Sequence, residues 1–185
     1  MSTMTFDVDA LVDDCRAALA ADQPSLAVRD VLDRVLSTPS AVAAALGRDA
    51  GGLESLHTSD DLTVLNVVWT PGMRLYPHDH RMWAVIGIYG GVEDNEFFRR
   101  APEGLTSTGG RRAEARDVLL LGDDVVHAVS NTQATFTGAI HVYGGNFFTQ
   151  PRSEWDPATG EERAFDIESA RKVFADANER YRAAP

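Results

Sequence analysis

The stretch Gly72-Met-Arg-Leu-Tyr-Pro-His78-Asp-His80-Arg-Met-Trp-Ala-Val-Ile-Gly-Ile-Tyr-Gly90-Gly91 holds two histidines one residue apart, in an apolar run bounded by turn residues. In a strand, residues i and i+2 face the same way, so His78 and His80 present two imidazoles to one cavity, their backbones roughly 7 Å apart. That is a chelating arrangement. Asp79, between them, is expected on the opposite face and is not read as a ligand. Gly72 lies upstream of His78 with five residues between them, and Gly91 closes the strand that follows.

Around this stretch, β-branched and aromatic residues come in short runs: Leu62 to Thr70, Trp83 to Tyr89, Glu96 to Arg100, Val118 to Leu121 and Thr135 to Tyr143. Glycines and Asp or Asn pairs punctuate them at a spacing that predicts a sandwich or barrel. Pro102 to Arg112, rich in Gly, Ser and Thr, reads as a loop between two halves. Acidic pairs such as Asp13-Asp14, Asp60-Asp61, Glu93-Asp94 and Asp123-Asp124 read as solvated faces or turns. Trp69 and Trp83 read as core aromatics.

Upstream of Gly51-Gly52 the periodicity is helical. Val8, Leu11, Val12, Cys15, Ala18 and Leu19 make one stripe, with Cys15 as a small buried hydrophobe. Pro24 opens a second helix reaching Leu36, and Thr38-Pro39 opens a third that stops at Gly47. Downstream, Thr149 to Gly160 reads as an ordered loop anchored by Trp155, with a place over the barrel mouth. Asp166 caps a last helix with the stripe Ile167, Ala170, Val173, Phe174, Ala177 and Tyr181.

A length of 185 residues with 44% hydrophobic and 24% charged residues suits one folded domain. The formal net charge of -11 disfavours nucleic acid and anionic membrane surfaces as partners. Cys15 is the single cysteine, so no internal disulfide forms, as suits a reducing compartment. Met1 to Asp9 lack a basic start and an apolar core, and no run approaches the ~20 apolar residues of a membrane span. The expected location is cytoplasmic.

A second i, i+2 pair, His141 and Tyr143, lies in the run Thr135 to Tyr143. A phenol beside a metal site donates a hydrogen bond or passes a proton, and an adjacent imidazole relays it. Neutral imidazoles leave a divalent ion's charge uncompensated, and they suit iron, copper, nickel and zinc alike.

The Gly72, His78-x-His80 and Gly91 spacing resembles the first cupin motif, and Gly122-Asp-Asp-Val-Val-His127-Ala-Val-Ser-Asn131 resembles the end of the second. The family's usual glutamate ligand falls at Ala84, so the likeness is to the three-histidine cupins, with His127 as third ligand. Together with Ile140-His141-Val142-Tyr143-Gly-Gly, the ordered motifs resemble the cysteine dioxygenase family, including the bacterial mercaptopropionate dioxygenases, over roughly Leu56 to Phe148.

That resemblance implies a mainly β fold, a cupin double-stranded β-helix (jelly-roll) barrel with N-terminal helices and a C-terminal helix. The expected organisation is one cupin domain over 1–185: a helical segment at 1–50, the β-barrel at 55–149, and a loop and helix at 150–185. It implies Fe(II) on His78, His80 and His127, with His141 and Tyr143 as catalytic groups beside the metal. The reaction implied is oxidation of a small thiol to its sulfinate with O2.

Two departures follow. The family's relay serine falls at Ala139, so water, Thr137 or nothing stands at the far end of the relay. The cysteine that some members crosslink to tyrosine falls near Ala84, so no crosslinked Cys-Tyr cofactor is expected.

Substrate contacts are read from arginines. The upstream arginine of members acting on cysteine has no counterpart between Arg48 and Arg74, where His57 is the nearest polar candidate. Arg152 resembles, in position, the carboxylate-binding arginine of the mercaptopropionate branch. Arg74, Arg81 and Trp83 flank the metal motif as further candidates. A mercapto-acid therefore fits better than cysteine. The alternatives are a cupin metalloenzyme acting on a non-thiol small molecule, and a non-catalytic metal- or ligand-binding cupin.

Overall fold

In the computed structural model, which describes residues 5–184, Asp7 accepts a hydrogen bond from Ala10 N–H (3.0 Å) and starts helix α1, Val8–Ala18. Met1 to Met4 and Pro185, the extremes of the expected domain, lie outside the described residues. Pro24 and Pro39 occupy the first turns of α2 (Pro24–Val35) and α3 (Pro39–Leu46), where no intrahelical partner exists for the missing N–H. None of the described helices is long and apolar enough to cross a membrane.

The strands follow as β1 (Gly52–Thr58), β2 (Thr63–Trp69), β3 (Arg74–Asp79), β4 (Ala84–Gly90), β5 (Val92–Ala101), β6 (Gly104–Glu114), β7 (Val118–Leu121), β8 (Val126–Ser130) and β9 (Thr137–Tyr143). Two short strands, β10 (Ser153–Trp155) and β11 (Glu162–Ala164), precede helix α4 (Ile167–Ala183). Asp166 caps α4 by accepting from the N–H groups of Glu168 and Ser169.

Strands β2 to β9 form two packed sheets, β2-β9-β4-β7 and β3-β8-β5-β6, with every pairing antiparallel. This is jelly-roll order, with the first strand beside the last and the two sheets exchanging the chain between them. β1 extends the first sheet, and β10 and β11 extend the second.

Every residue of β2, β4 and β9 is buried, because each face of the first sheet has its own cover. Val64, Val85, Ile140 and Val142 pack outward against Leu32 and Leu36 of the α1–α3 layer and against Cys15. Leu65, Val67, Ile86, Ala139 and Tyr143 point inward to a core shared with Leu75 and Val129 of the second sheet. Phe174 and Ala170 of α4 join that inner core, with Phe174 stacked on Trp69 at 5.2 Å between centroids. Burial pushes the Cys15 thiol up to about 12, which keeps it protonated as a packing group.

Three readings change. Pro102 to Arg112 is not a loop: most of it lies in β6, paired with β5 along its length. β5 starts at Val92 rather than Glu96, which brings Glu93 and Asn95 into the sheet, both buried. Glu93 is therefore no solvated acid, whereas Asp13, Asp14, Asp60, Asp61, Asp123 and Asp124 are exposed. The segment after Phe148 holds β10 within it, and the buried Trp155 faces Arg100, not the barrel interior (5.0 Å from guanidinium carbon to ring centroid).

Candidate metal centre

Gly72 and Gly91 frame the histidine strand with φ of 73° and 77°, a left-handed backbone that a side chain would strain. Between them β3 pairs with β8 so that His78 and His127 are direct partners across the ladder. β3 ends at Asp79, and His80 opens the turn to Arg81, whose φ is 54°. His80 still converges with the others: its ring centroid lies 5.1 Å from that of His78 and 5.0 Å from that of His127. One ring nitrogen from each of the three histidines lies within 4.8 Å of the others, and all three residues are buried.

The donor chemistry fits a metal ion. His78 Nδ1–H donates to the Tyr76 carbonyl (3.0 Å), and His127 Nδ1 faces Asn95 Oδ1 at 2.7 Å, so each ring keeps Nε2 for another purpose. His127 Nε2 and His80 Nδ1 are buried with no hydrogen-bonding partner among the described residues. Uncompensated buried nitrogens of this kind are costly unless something coordinates them. Burial lowers His78 to about 4, and burial together with the neighbouring imidazoles holds His80 and His127 well below the ordinary 6.5. The rings are thus neutral, the form a metal requires.

Asp79 turns away from the cluster, with its Oδ2 2.7 Å from Arg81 Nε. It also accepts from Arg100 and from Ser153 N–H, tying β3 to β10.

From the opposite sheet, His141 and Tyr143 point to the same cavity, which is lined further by Trp69, Phe147, Phe165 and Ala170. Tyr143 OH lies 3.0 Å from His141 Nδ1, and the Tyr143 ring packs edge-on to His80 at 5.0 Å. Burial raises the phenol, so it holds its proton. The cavity measures about 20 Å³ as space for the centre of a water molecule, room for about one or two waters. A larger open groove of about 570 Å³ lies beside β5 and β6, lined by Arg74, Glu96, Phe98 and Trp155, and no histidine reaches it.

Arg152 is 7% exposed. Its guanidinium carbon sits 4.1 Å from the Phe147 ring centroid and 3.9 Å from that of Phe165, two rings that line the cavity. It donates to the Phe147 carbonyl, while Nε and Nη2 have no partner among the described residues. Burial lowers its pKa to about 10, which leaves it charged at neutral pH.

The other candidate contacts lie elsewhere. His57 bonds Ser59 Oγ (3.2 Å) on β1, Arg74 pairs with Glu96 (2.7 Å) on the outer surface, and Arg81 is held by Asp79. Trp83 packs against the helical layer. None of these four lines the cavity.

At the far end of the tyrosine–histidine pair stands a group that the sequence placed on a solvated face or turn. Thr137 is engaged with Val92, donating to its carbonyl (2.6 Å) and accepting from its N–H (2.9 Å). Glu93 stands there instead, fully buried, its Oε2 3.5 Å from His141 Nε2 and 2.8 Å from the Trp69 Nε1 that donates to it. Its Oε1 accepts from Asn95 Nδ2 (2.9 Å). Burial alone would raise this carboxyl, but His141, Asn95 and Trp69 outweigh it and hold the carboxyl below its usual range. The legible signal is the parity of Glu93, Asn95 and Phe97 on one strand face.

No family model matches the sequence. Among solved structures the chain is similar to an RmlC-like cupin family protein with a double-stranded β-helix fold from Methanocaldococcus jannaschii (13% identity, 55% of this chain and 87% of that one, TM-score 0.46). A Bacillus halodurans protein is similar at 15% identity (56% and 77%, TM-score 0.49). A Lactobacillus farciminis oxalate decarboxylase in complex with formate is similar at 16% (53% and 30%, TM-score 0.45). The strand order is that of a double-stranded β-helix.

Proposed function

We propose that the chain is a non-haem iron(II) dioxygenase that converts a small mercapto-acid to its sulfinate, RSH + O2 → RSO2H, with no external reductant. The observation that carries this reading is the convergence on one small buried cavity of three neutral imidazoles and a tyrosine–histidine pair, with a buried, half-satisfied arginine stacked on two of the rings that line it.

Iron, when held by His78, His80 and His127, supplies a site where thiolate sulfur and dioxygen meet. Arg152 takes the substrate carboxylate through Nε and Nη2, a fork that matches two carboxylate oxygens. Tyr143 sits beside His80 to hold or move a proton at its phenol oxygen, with His141 Nδ1 as its partner. Phe147 and Phe165 keep bulk water out and must shift to admit even a three-carbon acid, since the cavity has room for only about one or two waters.

A second reading has its own support. Arg152 selects a carboxylate, and nothing in the lining is specific for sulfur, so a metalloenzyme acting on a non-thiol small acid fits the same groups.

Oxygen consumption by anaerobically iron-loaded protein separates the two. Cysteine, cysteamine, 3-mercaptopropionate and mercaptosuccinate form the panel, with non-thiol acids of the same length beside them. Uptake with sulfinate product is expected for the mercapto-acids; bound iron with no uptake on any thiol overturns the thiol reading. Tyr143→Phe is expected to keep its metal and lose about 10²–10⁴-fold in turnover. A non-catalytic binder would keep its ligand affinity and show no turnover to lose.

A further inference from the structure

We propose that Glu93 is a positioning residue that fixes the tautomers of two histidines on opposite sheets, directly for His141 and through Asn95 for His127. The consequence for His127 deepens the metal reading and rests on it.

An ionised carboxylate only accepts, so every group that faces Glu93 must present a proton. Asn95 turns Nδ2 to Glu93 Oε1 (2.9 Å), which leaves its Oδ1 for His127 Nδ1 (2.7 Å). An amide oxygen also only accepts, so the His127 proton lies on Nδ1 and its Nε2 carries a lone pair. That Nε2 is the buried nitrogen without a protein partner.

On the other side, Glu93 Oε2 faces His141 Nε2 at 3.5 Å, a charge contact too long for a hydrogen bond, and His141 Nε2 has no hydrogen-bonding partner among the described residues, so the facing carboxylate is the group that favours a proton there. The proton of His141 therefore belongs on Nε2, and Nδ1 accepts from Tyr143 O–H (3.0 Å). The phenol proton is committed to His141, so the tyrosine oxygen offers acceptor capacity to the cavity. One carboxylate on β5 thus sets the direction of both hydrogen-bond chains. Trp69, which can only donate, completes it at 2.8 Å and locks its rotamer.

A glutamine in this place cannot serve both chains. With its NH2 toward Asn95, that amide must turn over, present NH2 to His127 Nδ1 and drive the His127 proton onto Nε2. With its NH2 toward His141, the imidazole must accept on Nε2, carry its proton on Nδ1 and reverse the bond to Tyr143. Aspartate keeps the acceptor-only character.

The test is two-bond 1H–15N correlation NMR of the histidine rings in the metal-free full-length protein, paired with a zinc competition titration. Wild type is expected to show His127 protonated on Nδ1 and His141 on Nε2. Glu93→Gln is expected to reverse at least one of them, and where His127 reverses, to weaken zinc by about 10–100-fold. Glu93→Asp is expected to keep both tautomers.

Either ring in the opposite tautomer in wild type overturns the inference, as does a folded Glu93→Gln variant with both tautomers and zinc affinity unchanged. The wild-type spectrum decides even where the variant fails to fold. The tautomers are read without metal or substrate, so a failure of the thiol dioxygenase reading, seen as absent oxygen uptake, is a separate result.

Discussion

Arg152 keeps a full charge between two phenyl rings with two nitrogens unpaired, an arrangement that costs stability unless an anion completes it. The guanidinium fork is what a carboxylate needs and an ammonium lacks. Arg152→Lys is accordingly expected to lower kcat/KM for a mercapto-acid by about 10–100-fold, the loss of a charged hydrogen bond worth ~1.5–3 kcal/mol. Most of the change should fall in KM. Cysteamine has no carboxylate, and its turnover should not move; equal losses on both substrates would show that Arg152 acts on the site and not on the acid. The metal residues separate cleanly from this group. His78→Ala and His127→Ala are each expected to leave the purified protein without iron by elemental analysis, whereas Arg152→Lys should stay loaded. Stoichiometric iron in His127→Ala would remove the third ligand.

Strand β9 divides two tasks between its faces. Ala139, His141 and Tyr143 face the cavity side, while Gly138, Ile140 and Val142 face the helical layer. A Cβ on Gly138 would lie 2.2 Å from the Tyr89 ring, whose hydroxyl is pinned by Gly47 O (2.9 Å) and Asn66 Oδ1 (2.8 Å). Gly138→Ala should therefore cost about 3 kcal/mol in urea unfolding, at the upper end for overpacking, while the folded protein binds zinc as before. A weakened zinc site with unchanged stability would contradict this division. The same face logic explains what could be read in advance. Helices announced themselves through Pro24, Pro39, Asp166 and an apolar stripe, because those residues act locally. The imidazole cluster was legible because His-x-His is a local geometry, and His127 came from a motif. β6 was not legible: it runs along an exposed edge, eight of its eleven residues exposed, so it carries no apolar alternation and owes its form to β5. With the strand begun at Glu96, Glu93 and Asn95 fell outside it and their shared parity with Phe97 went unread; which histidine of the other sheet that face meets is decided by packing, not by local pattern. Arg74, Arg81 and Trp83 show the converse, since closeness in sequence to the metal motif does not settle which side of a sheet a side chain takes.

At the scale of the molecule, three buried imidazoles are a liability that the rest of the fold carries. Burial holds His78 at about 4 in the folded chain against an ordinary 6.5 when unfolded, with His80 and His127 displaced the same way. Between those values the unfolded chain binds more protons than the folded one, so metal-free stability rises with pH across the window and is lost as pH falls from about 6.5 toward 4. Each histidine contributes a slope of up to about 1.4 kcal/mol per pH unit. Glu93, held below its usual range, adds its own loss at lower pH still. Bound zinc should offset the histidine loss by mass action, about 2.7 kcal/mol at a hundredfold excess over Kd, and should do so less as protons compete for the rings. His80 makes the sharpest case, because its Nδ1 is buried with no protein partner and its removal forfeits no hydrogen bond there. His80→Leu, close in volume, is expected to stabilise the metal-free protein by about 1–3 kcal/mol at pH 7, and by more at pH 5, where wild type must also protonate against burial. The same variant should retain no metal. Denaturant unfolding of both proteins at the two pH values, without metal, measures this directly. A His80→Leu protein less stable than wild type at pH 5 would mean that the cluster is held by packing rather than reserved, at a cost in stability, for an ion.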